Sequence, residues 1–253
     1  MKKIGFYLIA LVLISCSEEH EQSDFLEKME DEIGENIPFE ERVQLHVRSQ
    51  LSIPGSEKHD IQIYKSDLTG DGVDDAIITV NRLEHAISRA QEKKAIAKSS
   101  ELDFWGAYNV VFYYDSELDK LSPPLEFNST PLRSLKISFQ NISSTEYKDV
   151  IIDYPLRNSE FRIFLPIINH APTQVLQWQV YDGWGTDKVE ANCFSYDKGS
   201  FSPFKDILIK KAHLKNISKE ENYNTATPEI TCTDELVHRF FFNPKDNKYY
   251  TKK

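Results

Sequence analysis

One nine-residue stretch of this 253-residue chain has the residue types and the spacing to hold an ion: Asp67-Leu68-Thr69-Gly70-Asp71-Gly72-Val73-Asp74-Asp75. Oxygen-bearing side chains stand at loop positions 1, 3, 5 and 9 (Asp67, Thr69, Asp71, Asp75). The backbone carbonyl of Val73 at position 7 completes a set that can wrap one hard cation. Gly72 supplies the backbone freedom that so sharp a turn needs. Thr69 is a weaker donor than Asn or Asp, so the expected affinity is modest. An EF-hand does not fit, because Ile78 stands where a bidentate Glu would close the site and belongs to an expected strand.

The cysteines carry the other chemistry. The chain opens MKKIGFYLIALVLISC, with Lys2 and Lys3 ahead of an apolar run, Ile4 to Ile14, that is too short to span a bilayer. Its end, Leu13-Ile14-Ser15-Cys16, resembles a bacterial lipobox. The resemblance implies a signal peptide over 1–15 and acyl chains on Cys16. It implies a protein lipid-anchored to the outer membrane, on its periplasmic or cell-surface face, since each buried methylene adds ~0.8 kcal/mol of membrane affinity. Residues 16–36 then read as an acidic tether whose carboxylates repel one another. Its Ser17-Glu18-Glu19 start resembles acidic signals for outer-membrane export. With Cys16 acylated, Cys193 and Cys232 remain, and two cysteines in an exported chain predict one disulfide.

Removing Lys2 and Lys3 with the signal peptide takes the formal charge from −10 to −12. Such a chain has no electrostatic footprint for nucleic acid.

The elements that must position these residues read as mainly β with a few helices over 37–253. Pro38 opens a helix with Phe39, Val43, Val47 and Leu51 on one stripe. Alternation marks a strand from His59, and Ala76 to Val80 follows the acidic loop as a second. Asn81 and Glu84 form a capping box for a helix whose buried side is expected at Leu83, Ile87, Ala90 and Ala97. Tyr108 to Tyr114, Cys193 to Tyr196, Asp206 to Leu214, Val237 to Phe242 and Tyr249 to Thr251 read as further strands. The acidic loop with its flanking strands resembles the calcium loops of FG-GAP and VCBS-type repeats, D-x-[ND]-x-D-G-x-x-D, from which Thr69 departs. The resemblance implies a hairpin with calcium at its tip.

Sliding the chain by 74 positions lays residues 61–80 over 135–154, matching Ile63/Ile137, Asp75/Asp149, Ile77/Ile151 and Ile78/Ile152. The aromatic strands 106–115 and 175–182 each end in Tyr-Asp. Two related hairpin units are expected, near 59–125 and 133–185, packed like propeller blades or as a two-sheet sandwich. In the second copy Asn141, Ser143 and Thr145 replace donors and only Asp149 keeps its carboxylate, so the hairpin is expected to stand without metal there.

Trp178, Tyr181 and Trp184 read as core around a glycine turn. The seven histidines show no HExxH pairing, and there is no GxSxG turn. The functional expectation is a non-enzymatic envelope lipoprotein that binds a protein or glycan. The alternative is an envelope hydrolase whose site assembles only in the fold.

Overall fold

The computed structural model describes residues 37–92, 108–215, 222 and 225–251. Cys16, the signal peptide 1–15 and the tether 16–36 lie outside the described residues, as does Ala97. The chain divides into two units between residues 46 and 47, a boundary that falls within helix α1 (Phe39–Gln50). Pro38 starts this helix, its carbonyl accepting the Glu41 and Arg42 amides at 3.0 Å each. Val43 and Val47 are its buried stripe.

The larger unit is mainly β, and every strand pair is antiparallel. In the first sheet β1 (Asp60–Ser66), β2 (Asp75–Asn81) and β3 (Asn109–Asp115) lie side by side. Two short strands, β4 (Lys120–Leu121) and β5 (Leu125–Phe127), both pair with β3. Helix α2 (Leu83–Glu92) links β2 toward β3, with the Leu83 amide capped by Asn81 Oδ1 at 3.1 Å. The expected stripe is displaced by one position. Ala86 is buried, whereas Leu83, Ile87 and Ala90 are half-buried.

The second sheet begins with β6 (Lys136–Gln140), β7 (Asp149–Leu156) and β8 (Ser159–Leu165). A small hairpin, β9 (Ile167–Ile168) and β10 (Ala171–Pro172), intervenes. The sheet resumes with β11 (Leu176–Asp182), β12 (Glu190–Lys198), β13 (Lys205–Leu214), β14 (Ile230–Asn243) and β15 (Lys248–Thr251). Its order is β15-β14-β13-β12-β11-β8-β7-β6. Strand β14 runs for 14 residues, well past the 237–242 that composition marks, because pairing with β13 extends an otherwise polar segment.

Both faces of β7 and β8 are covered. On one side Ile152, Ile163 and Leu165 pack with Ile77, Val111 and Tyr113 of the first sheet. On the other, Ile151 and Phe164 pack with Ile207, Ile209, Phe240 and Phe242 from β13 and β14. Strands buried on both faces need apolar residues at successive positions, which is why Val150-Ile151-Ile152 does not alternate. The strand beside β7 is β8, with β11 one place further out, so the likeness of 106–115 to 175–182 does not match the order of pairing. Hairpin closure through Arg157-Asn158 puts β8 next to β7, and local pairing outweighs the similar endings. Tyr181 and Trp184 are core, as expected, while Trp178 is half-buried against Phe240 at 5.2 Å. Among the described residues no helix is long and apolar enough to cross a membrane.

Candidate functional site

The acidic loop joins β1 to β2, and its hairpin register pairs Ser66 with Asp75 and Ile63 with Ile78. Eight residues lie between that pair, and loop carboxylates accept four of their backbone amides, those of Leu68, Gly70, Gly72 and Val73. Asp67 accepts the Gly70 amide on Oδ1 at 2.6 Å and the Gly72 amide on Oδ2 at 3.1 Å. Asp71 Oδ1 accepts the Val73 amide at 2.8 Å. Gly70 and Gly72 both adopt left-handed backbone, φ 84° and 86°, so the turn needs two glycines where the spacing called attention to one.

Asp75 differs from the other two. It is fully buried, and both its oxygens are committed. Oδ2 accepts the Leu68 amide at 3.1 Å and the Thr69 hydroxyl at 3.4 Å; Oδ1 accepts the Ser116 amide at 3.0 Å and hydroxyl at 2.9 Å. It therefore ties the start of its own loop to the end of β3. Among the described residues no three His, Cys, Asp or Glu side chains gather as a metal-holding group. The donor chemistry of the loop is all oxygen and suits a hard cation. Asp71 and Val73 are exposed, Asp67 and Thr69 half-buried, and Asp75 buried.

The second loop, between β6 and β7, repeats the buried half of this arrangement. Its register pairs Ile137 with Ile152, the same pairing as Ile63 with Ile78 moved by 74 positions. Asp149 takes the place of Asp75, accepting the Ser143 amide at 2.7 Å and the Ser143 hydroxyl at 2.5 Å. Burial raises its pKa to about 6 against the pull of those hydrogen bonds and of Lys205. The two loops touch. A Cβ at Gly70 would stand 3.7 Å from Tyr147 Cβ, and Lys148 Nζ donates to Ser66 Oγ at 3.0 Å.

A network that motif reading missed adjoins Asp75. Asp115, the last residue of β3, is buried. Its Oδ1 accepts the Leu118 amide at 3.0 Å, and its Oδ2 meets His170 Nδ1 at 2.8 Å and the Tyr113 hydroxyl at 3.4 Å. The hydrogen bond that His170 donates to the Asp115 carboxylate raises the histidine's pKa above the usual imidazole value. Burial, then the Asp75 and Asp115 charges, raise the Tyr113 pKa and keep its hydroxyl protonated. The Tyr-Asp ending of β3 was its one local signal, since His170 arrives from the distant β9–β10 turn.

A second unforeseen feature is a groove of about 390 Å³ lined by β5 and by β7, β8, β10 and β11. Leu125, Tyr154, Leu156 and Pro172 supply half-buried apolar surface over the buried Phe127, Ile163 and Leu165; Glu126, Asn128, Gln174 and Gln177 add exposed polar groups. Gln177 hydrogen-bonds the Tyr154 hydroxyl, and Tyr154 stacks on Phe161 with centroids 5.7 Å apart. Five strands spread over residues 125–177 contribute, so no local pattern announces it.

The expected disulfide is present. Cys193 of β12 and Cys232 of β14 are bonded with Cα atoms 5.7 Å apart, across the intervening β13. Strand β14 bulges there, its register shifting between Leu236 and Cys232, which lets two non-adjacent strands approach. No protein-family model matches this chain, and neither a curated protein nor a solved structure matches it.

Proposed function

We propose that this is an envelope lipoprotein anchored through Cys16 to the outer membrane, on the periplasmic or cell-surface face. Its β-rich domain works by binding a protein or glycan, with the Asp67–Asp75 loop stapled by calcium. The observation that carries the binding reading is the groove, whose apolar surface bordered by polar side chains is recognition chemistry. The disulfide suits an oxidising, exported setting. The shared register of the two hairpins supports reading them as related units in stacked, sandwich-like layers.

For calcium, Asp67, Thr69, Asp71, Asp75 and the Val73 carbonyl are the proposed donors. Asp75 would exchange its hydroxyl contacts with Thr69 and Ser116 for the ion while keeping the backbone amides. A cation that binds only the folded state stabilises it by RT ln(1 + [L]/Kd), ~2.7 kcal/mol at one hundred times Kd. Millimolar calcium should therefore raise the melting temperature, magnesium much less, and Asp71→Ala should abolish the rise. Cys16→Ser should move the protein from the membrane to the soluble fraction. An unchanged melting curve removes the staple, and an unchanged fraction removes the anchor.

A second reading, an envelope hydrolase, is favoured by one observation: the buried Asp115 orients the half-exposed His170 as a carboxylate orients a general base.

A further inference from the structure

We infer that the groove beside β5 is a binding site for a neutral oligosaccharide. The inference rests on the binding reading above and names its ligand class. Lining chemistry separates the candidates. Glu126 is the only charged side chain among the lining residues, so the site offers no cation to a phosphate, a uronate or an acidic peptide, and its one carboxylate repels them. Asn128, Gln174 and Gln177 are exposed amides. Each amide carries two N–H donors and an acceptor oxygen, so the Gln174 Nε2 to Gln177 Oε1 bond at 3.4 Å and the Gln177–Tyr154 bond still leave groups of both kinds, the pairing that vicinal hydroxyls require. Between them lies the half-buried apolar surface of Leu125, Tyr154, Leu156 and Pro172, backed by the buried Phe127, Ile163 and Leu165, and it matches the C–H face of a sugar ring. The volume falls at the lower end of the range for small-ligand sites, roughly 300–1,000 Å³.

An extended peptide adding to the β5 edge fits less well. That strand has three residues, and its last carbonyl, Phe127 O, already accepts the Ser129 amide at 2.9 Å. Strand addition draws its affinity from a run of main-chain hydrogen bonds, which so short an edge does not offer. Sugar hydroxyls need only scattered side-chain partners.

The test uses the full chain in detergent against an immobilised β-glucan, α-glucan, mannan and xylan, with polygalacturonate as the anionic control and unfolded casein as the peptide probe. At least one neutral polysaccharide should retain the protein. The variant Gln174→Ala/Gln177→Ala should weaken retention about tenfold, the loss of two net hydrogen bonds, with an unchanged circular dichroism spectrum. Retention by none of the four neutral polymers, or equal retention of the double variant, overturns the inference. Capture by casein alone overturns it too but leaves the protein-binding arm of the proposed function standing, whereas capture by nothing removes both.

Discussion

Asp75→Ala, measured in EDTA, tests whether the acidic loop is organised by the protein itself before any ion arrives. The aspartate is fully buried and accepts two backbone amides, Leu68 and Ser116, and two hydroxyls. The Thr69 and Ser116 hydroxyls can rotate to other acceptors, but the two amides are held by the strands on either side. Each buried amide left without a partner costs ~1–3 kcal/mol, so the variant should lose about 2–6 kcal/mol. That is a large part of the roughly 5–15 kcal/mol that holds an ordinary domain together. Asp75→Asn gives a milder reading if the alanine variant proves too unstable. Its carbonyl oxygen can still accept from Ser116, and its amide nitrogen faces the Leu68 amide, so one donor is orphaned and the loss should be about 1–3 kcal/mol. Asp71→Ala removes a single exposed bond to the Val73 amide and should stay within about 0.5 kcal/mol of wild type. Urea titrations followed by circular dichroism give all three, with the slope m constant if the denatured state is unchanged. The reasoning is refuted if Asp75→Ala costs less than about 1 kcal/mol, or if Asp71→Ala costs as much.

Two further outcomes follow from the fold. Reducing the Cys193–Cys232 bond, or replacing both by Ala, frees a loop of 39 residues and should cost about 4 kcal/mol on the chain-entropy account. For a domain of this size that is a fall of about 8–16 °C in melting temperature, and a shift under 3 °C counts against it. Asp149 has a folded pKa near 6, above its ordinary 3.8, so the native state holds its proton more tightly than the unfolded chain. The stability it contributes is greatest below pH 4 and declines as pH rises through 6. Relative to Asp149→Asn, wild type should lose on the order of 2–3 kcal/mol between pH 3.5 and 7, read from denaturant midpoints. A flat or rising difference refutes the assignment.

The two acidic loops show how far local pattern reaches. A strand's period and a hairpin's register are set by residues within a few positions, so β1, β2, β6 and β7 and their common offset of 74 are legible in the chain. The same holds for the Pro38 helix start and for the cystine, where exclusion of Cys16 left one possible pair. Oxygen spacing likewise marks Asp67 to Asp75 as a loop with chemistry.

Spacing alone leaves open where those oxygens point. Asp75 turns inward because β3 returns beside β2 and presents the Ser116 amide, a partner 41 positions away in the chain. His170 reaches Asp115 across 55 residues, and the groove draws on five separate strands. Burying β7 and β8 on both faces brings these segments together, and that burial depends on which sheets stack, a choice made by the summed apolar area of the whole domain. Neighbours in sequence could establish the loops and their amides; the partners of the buried carboxylates and the walls of the groove follow from long-range packing, which leaves no local period to read.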